Sequence, residues 1–133
     1  MDRDARALAA LERGIERDGA DVTTVRADLS QPLTLPGANA GTLDGLLLAN
    51  TLHFLPDHAD VVARLSRWLR PGGLVVIVEY DRRRPSRWVP HPVDAADLPA
   101  LFEAATLSPP RIVARVGSAF GGEMVVAVGE KGG

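Results

Sequence analysis

The chain has 133 residues, a net charge of −2 and no cysteine, and these values exclude several classes of protein. The length allows one compact domain with a hydrophobic core but not two. The small net charge gives no electrostatic basis for binding nucleic acid or an anionic membrane, and the lack of cysteine excludes disulfides and thiolate metal sites. No apolar run reaches the roughly 20 residues that span a bilayer. We therefore expect a cytoplasmic protein.

The first predicted element is an amphipathic helix from Asp4 to Arg17. Leu8, Leu11 and Ile15 recur at intervals of three and four residues between charged residues, which is the spacing of one helix face. Gly19 is the expected end of this helix.

The two segments after the helix predict a strand and a loop. Val22–Ala27 is short and rich in β-branched residues, a composition typical of strands. Asp28–Thr42 holds two prolines and two glycines among polar residues and predicts a loop.

The central stretch, Leu43–Asp81, predicts one β-α-β crossover. Leu43–Ala49 is almost continuously apolar, as expected of a parallel strand covered on both faces. Asp57–Leu69 has the spacing of an amphipathic helix, and Pro71-Gly72-Gly73 should end it. Leu74–Val78 is the most apolar segment and predicts a central strand. The apolar face of the helix would comprise Val61, Val62, Leu65, Trp68 and Leu69.

The C-terminal part predicts a third helix and two further strands. The helix covers Asp94–Ala105, and its inward residues would be Leu98, Leu101 and Phe102. Arg111–Val116 and Glu123–Val128 predict strands. The connection between them is too short for a parallel crossover, so they should form an antiparallel hairpin. The resulting fold class is α/β, with a doubly wound sheet that is mostly parallel and ends in this hairpin.

Three segments, found in the same order as in a known family, carry a resemblance. They are ADLSQPLTLP (27–36), LDGLLLANTLHFLPD (43–57) and LRPGGLVVIVEYD (69–81). They resemble the acidic motif after the third strand, the fourth strand with its loop, and the turn into the fifth strand of class I S-adenosylmethionine-dependent methyltransferases. The terminal hairpin is also a mark of that family. The resemblance implies a single partial domain, 1–133, with a Rossmann-like sheet that is incomplete at its N-terminus, because the family's first strand and Gly-rich loop would precede Met1.

The resemblance implies S-adenosyl-L-methionine as the cofactor and four residues that bind it. Asp2 matches the family's acid that holds the ribose hydroxyls. Asp28 would accept a hydrogen bond from the adenine amino group, and the Leu29 N–H would meet a ring nitrogen. Asn50, at the end of a strand, could face the methionine moiety. The residues alone leave other readings open: Asp2 as a frayed terminus, Asp28 as a cap of a helical turn, and Asn50 as a partner of its own loop.

The three histidines of the chain have no metal-ligand spacing, and we expect no metal. His53 is a candidate general base, because imidazole titrates near neutral pH. A loop histidine packed beside Phe54 is the alternative, and the pattern favours it slightly. His58 is expected on the solvated face of a helix.

Polar and aromatic residues after the predicted central strand are candidates for a substrate pocket. Glu79, Tyr80 and Asp81 lie at the edge of the sheet where ligands bind in open α/β folds. Alternation would instead turn some of them toward neighbouring helices. Trp88 and His91 could line a pocket or lid, although an aromatic residue in a proline-rich loop is more often a packing anchor.

The function implied by the resemblance is methyl transfer to a small-molecule acceptor. The absent Gly-rich loop should impair it, so this chain could instead be a non-catalytic Rossmann-like remnant or a domain that binds itself or a partner. A nicotinamide-dependent oxidoreductase is disfavoured by the missing G-x-G-x-x-G. Leu46–Leu48 would form a bare sheet edge and could pair two chains into a homodimer. Arg82–Arg84 could hold an anionic acceptor or simply be solvated.

Overall fold

A computed structural model describes residues 1–19 and 21–133. The chain divides into two compact units, Met1–Gly37 and Ala38–Gly133, and each unit is described by itself. The helices and strands are α1 (Ala5–Asp18), β1 (Leu43–Ala49), α2 (His58–Ser66), β2 (Leu69–Asp81), α3 (Leu98–Ala104), β3 (Arg111–Gly117) and β4 (Glu123–Glu130). Short 3-10 turns at Leu52–Phe54 and Ala95–Asp97 precede α2 and α3.

Helix α1 of the first unit has defined caps at both ends. Asp4 is the N-cap, and its carboxylate accepts hydrogen bonds from the N–H groups of Arg6 and Ala7. Gly19 ends the helix in the left-handed conformation, with φ 72°. The predicted helix and its glycine stop are confirmed.

The predicted strand Val22–Ala27 is wrong. Only Arg26 forms a β-bridge, which runs parallel to Asp2. A β-branched composition supplies strand propensity, but a strand also needs a hydrogen-bonding neighbour, and Asp2 alone supplies one here.

The second unit is built around a four-stranded sheet with the order β1-β2-β4-β3. β1 and β2 are parallel, whereas β4 is antiparallel to both of its neighbours. β3 therefore runs in the same direction as β1 and β2, and the sheet has one reversed strand. This confirms the predicted fold class, the central position of β2 and the terminal hairpin.

The hydrophobic core of the second unit lies on one face of the sheet. Val75 and Ile77 of β2 point to this face and are fully buried, as are Val125 and Ala127 of β4. Phe102 of α3 is also fully buried, and α3 packs against α2. The inward residues predicted for the third helix, Leu98, Leu101 and Phe102, are confirmed.

Two expectations for the crossover are corrected by the structure. β1 is not covered on both faces, because Leu48 is buried whereas the neighbouring Leu47 is 65% exposed. α2 ends at Ser66, before the predicted Pro-Gly-Gly stop. Residues 70–73 instead form an irregularity within β2, since Leu43 pairs with Leu69 and Gly45 already pairs with Leu74.

None of the helices in the described residues combines the length and the apolar character of a membrane span. In the same residues, no group of three or more acidic or histidine side chains is arranged to hold a metal ion.

Candidate functional site

β1 and β2 are parallel neighbours, so their carboxyl ends meet at one edge of the sheet. Asn50 follows β1 with φ 51°, a left-handed conformation that asparagine tolerates better than most residues. Its N–H donates to the carbonyl of Val78, at 2.9 Å. The chain thus turns sharply at Asn50 and enters the short turn Leu52–Phe54.

That turn places His53 against Glu79, and both side chains are buried. The distance between His53 Nδ1 and Glu79 Oε2 is 2.8 Å, and the exposed fractions of the two residues are 3% and 1%. Glu79 Oε1 also accepts a hydrogen bond from the His53 backbone N–H, at 3.3 Å. Strand alternation puts Glu79 on the helix-covered face of β2, where a carboxylate without such partners would be costly.

The pair defines which nitrogen of His53 is available for chemistry. With Glu79 ionised, the shared proton sits on Nδ1, and Nε2 offers a lone pair. His53 also packs beside Phe54, with ring centroids 4.3 Å apart. His53 can therefore be both a loop histidine packed beside Phe54 and a candidate general base.

The arginine run is not simply solvated, because Arg83 connects two loops. Its guanidinium lies 4.2 Å from the centre of the Tyr80 ring. It also donates hydrogen bonds to the carbonyls of Phe120 and Gly121, at 3.3 and 2.8 Å. The Tyr80 ring in turn lies 5.8 Å from that of His53. Arg83 therefore holds the β3–β4 turn next to the histidine.

Asp81 is engaged in structural contacts. Its Oδ1 accepts the N–H of Ala95 at 2.9 Å, and its Oδ2 accepts from Arg115 at 3.1 Å. The Ala95 N–H first, and then the Arg115 guanidinium, hold the pKa of the Asp81 carboxyl below its usual value. Asp81 thus links the start of the third helical segment to the hairpin.

This lowered pKa gives a pH-dependent prediction. A carboxyl group whose pKa is lower in the folded state stabilises the fold above its unfolded pKa, here 3.8, and loses this effect as the pH falls through the folded value. Asp81→Asn keeps an oxygen for Ala95 but removes the charge. We expect the variant to be about 1 kcal/mol less stable at neutral pH, with the difference shrinking below pH 3.8. Urea denaturation over a pH series measures this, and a constant difference would contradict it.

Trp88 and His91 occupy the loop after β2 in different ways. Trp88 is 71% exposed, so the packing-anchor reading is wrong for this residue. Val89 and Val93 are buried and anchor the loop instead. The side chain of His91 is exposed, but its backbone N–H donates to the carbonyl of His53 at 2.9 Å.

The expectation that His58 is solvated is wrong. It is the first residue of α2, immediately after the N-cap Asp57, and it is half-buried. Its Nε2 atom is buried and has no hydrogen-bond partner among the described residues. The helix starts at His58, so this residue lies at the junction with the preceding loop and not on an outer helix face.

In the first unit, Asp2 and Asp28 lie at neighbouring positions. The Asp2 N–H donates to Val25, and the Ala27 N–H donates to the Asp2 carbonyl, at 3.1 and 2.8 Å. Asp2 Oδ1 accepts from the N–H of Asp4. Both chain segments that carry these acids are thus held by backbone hydrogen bonds.

Asp28 caps a turn, as one of its alternative readings predicts. Its Oδ1 accepts from both the N–H and the hydroxyl of Ser30, at 2.9 and 2.7 Å. The Ser30 hydroxyl first, and then its N–H, lower the pKa of the Asp28 carboxyl. Asp28 is exposed and Leu29, the next residue of the turn, is half-buried. The Asp28 carboxylate is therefore ionised at neutral pH.

A sheet that begins with a parallel crossover and ends with one reversed strand, with polar side chains at its carboxyl edge, defines a Rossmann-like α/β class. Residues 1–77 match the sequence model of a family described as a methyltransferase domain. The chain belongs to this family. No curated protein matches the sequence.

Solved structures support the same fold. The chain is similar to the 1,6-didemethyltoxoflavin-N1-methyltransferase of Burkholderia thailandensis, with 21% identity and a TM-score of 0.71 over 92% of this chain. It spans only 56% of that enzyme's length. A putative methyltransferase from Bacillus halodurans gives a TM-score of 0.76 at 14% identity, over 99% of this chain and 81% of the other. An S-adenosylmethionine-dependent methyltransferase from Methanosarcina mazei gives 0.71 at 13%, over 98% and 80%.

The comparisons confirm the family and the cofactor class predicted from the sequence. The methyl donor of this family is S-adenosyl-L-methionine, and the Burkholderia structure holds bound S-adenosylhomocysteine.

Proposed function

We propose that this chain takes part in methyl transfer from S-adenosyl-L-methionine to a small-molecule acceptor. The observation that carries the proposal is the His53–Glu79 pair, 2.8 Å apart, at the carboxyl edge of two parallel strands. Ligands of open α/β sheets bind at this edge. The Burkholderia relative, whose name and bound ligand identify a small-molecule acceptor, supports the same class of acceptor here.

The described residues fit the cofactor in the first unit. Asp2 and Asp28 each use Oδ1 in a local hydrogen bond, and each carboxylate has a second oxygen, Oδ2, that can also accept. An ionised Asp28 can therefore accept from the adenine amino group with Oδ2, next to the Leu29 N–H. Asp2 can accept from the ribose hydroxyls. In the second unit, Asn50 is exposed after its left-handed turn.

When bound, the cofactor supplies an electrophilic methyl group on a positively charged sulfur. The residues of this chain would align the acceptor and remove its proton. An acceptor oxygen or nitrogen held next to that methyl group would take it up through a lone pair, and the electrons of the broken bond would stay with the cofactor. The acceptor's proton goes to His53 Nε2, while Glu79 keeps the ring oriented through Nδ1.

Calorimetric titration with S-adenosylmethionine and S-adenosylhomocysteine tests cofactor binding. We expect saturable binding that weakens at least about tenfold in Asp28→Ala, because a hydrogen bond to a charged group contributes about 1.5–3 kcal/mol. Asp21→Ala, an exposed aspartate in the same unit, is the matched control and should bind normally. A folded chain without binding, or equal loss in both variants, would refute the assignment.

We also propose that cofactor affinity and activity are low in this chain. No G-x-G pattern occurs in the 133 residues, and such loops normally bring backbone N–H groups close to the cofactor.

A second candidate function is self-association through β1. This strand is at one edge of the described sheet and carries the exposed Leu47. Unpaired strand edges template pairing between chains. Sedimentation equilibrium should then show a dimer that dissociates on dilution, and Leu47→Lys should shift the equilibrium to monomer. A monomer at all concentrations would exclude this candidate.

A further inference from the structure

Aromatic side chains are concentrated around His53, and most of them are exposed. Four of the six Phe, Trp and Tyr residues lie on the segments that surround it. Phe54, Trp88 and Phe120 are 55%, 71% and 80% exposed. Grouped exposed apolar side chains forfeit the free energy of burial and mark binding sites more often than single ones do.

Direct contacts fix the loops that carry two of these rings next to the histidine. Phe54 lies against the His53 ring, with centroids 4.3 Å apart. The loop that carries Trp88 is tied to the same residue by the hydrogen bond from the His91 N–H to the His53 carbonyl, at 2.9 Å. The Phe54 ring therefore lies beside the histidine, and Trp88 is carried on a loop that is tied to the same residue.

The backbone of the residue that carries the third ring is held there by Arg83. This guanidinium stacks on Tyr80 at 4.2 Å and donates to the carbonyl of Phe120 itself. Because the Tyr80 ring lies 5.8 Å from that of His53, the β3–β4 turn borders the same region.

The loop between Asp81 and Pro92 is strongly cationic. It contains four arginines and one acid, and that acid is paired with Arg115. Within the described residues, Arg82, Arg84 and Arg87 form no ion pair with a carboxylate. The edge thus combines exposed aromatic rings with positive charge that no described carboxylate pairs, and one of these charges, the Arg87 guanidinium, already lies 4.8 Å from the centre of the Trp88 ring.

We propose that the acceptor is a planar aromatic or heteroaromatic small molecule that carries an anionic group. It stacks on the exposed rings beside His53, and its anionic group lies on the arginines of the loop. The methylated atom is a hydroxyl or ring N–H group, which loses its proton to His53 Nε2. This inference rests on the proposed function and specifies its acceptor.

The test uses a matched pair of probes, 2-naphthoate and its neutral analogue 2-naphthamide, with the isotope-labelled chain in solution. Chemical-shift titration should show naphthoate binding with perturbations at Phe54, Trp88 and Phe120. We expect naphthoate to bind about threefold tighter than the amide at low salt, with the difference lost at high salt. Perturbations confined to other regions, or equal affinity for the two probes at low salt, would overturn the proposal.

Variants separate the aromatic and the ionic parts of the site. Phe120→Ala should weaken both probes about fivefold, the effect of one lost aromatic contact. Arg84→Gln should weaken naphthoate alone. Arg111→Gln, an exposed arginine at the start of β3, is the matched control and should change neither. Equal effects of Arg84→Gln and Arg111→Gln would refute the role of the loop.

The two proposals fail in different ways. Probe binding needs no cofactor, so naphthoate bound at this edge without cofactor binding would count against methyl transfer only. Cofactor binding without naphthoate binding would count only against the proposal that the acceptor is an anionic aromatic molecule.

Discussion

Glu79→Ala is expected to lower the free energy of unfolding by about 3 kcal/mol, because it removes the buried carboxylate that accepts hydrogen bonds from His53. His53 would keep a buried N–H without an acceptor, next to a cavity. Glu79→Gln retains an oxygen for Nδ1 and should cost about 1 kcal/mol. Urea denaturation measures both variants. Glu103→Ala, an exposed glutamate on α3, is the control and should change stability by less than about 0.5 kcal/mol.

The double variant His53→Leu/Glu79→Leu sharpens this test. Replacing both members of a buried pair with apolar residues is often nearly neutral, so the double variant should be more stable than the sum of the single losses predicts. Additive losses would show that the two side chains are not coupled. For the proposed activity, Glu79→Gln should slow methyl transfer while cofactor binding stays unchanged.

Gly129→Ala is expected to destabilise the second unit by about 2–3 kcal/mol, which is at the upper end of the cost of overpacking a core. A Cβ atom at this position would come within 2.5 Å of the Phe102 ring, and this ring is fully buried. Thermal or urea denaturation measures the loss. Gly117→Ala, on β3 with no atom within 4 Å, is the control.

A second substitution tests the cause of this loss. In a Phe102→Leu background the smaller side chain makes room, so the additional effect of Gly129→Ala should fall below about 1 kcal/mol. An unchanged effect would mean that the backbone of β4, and not the aromatic ring, requires glycine.

The helices and strands that were predicted correctly are those for which one local residue pattern is enough to identify the element. Helix α1 combined a regular apolar spacing with a glycine at its end, and the hairpin followed from the short connection between two apolar runs. The predicted strand at Val22–Ala27 is wrong because β propensity is a local property. A strand also needs a hydrogen-bonding partner, and the composition of the segment does not show one. The predicted burial of both faces of β1 failed at Leu47 for a similar reason. Whether an apolar strand is covered depends on the helices and strands that pack against it, and the strand's own sequence does not show them.

The contact between His53 and Glu79 could not be predicted from their types alone. They are 26 residues apart, and their approach depends on the pairing of Ala49 with Val78 and on the left-handed turn at Asn50. A usable signal existed, because both residues follow the ends of strands that a single crossover makes neighbours. No comparable signal in the sequence predicted that Trp88 is exposed. Its exposure follows from the loop burying Val89 and Val93 instead.

The position of β4 between β2 and β3 also constrains the order of assembly during synthesis. β3 leaves the ribosome before β4, yet it has no hydrogen bonds to β2 in the finished sheet. It must therefore wait for the last strand, Glu123–Glu130, before it can join. The nascent chain would therefore hold β3 unpaired until β4 has also been synthesised and released from the ribosomal tunnel.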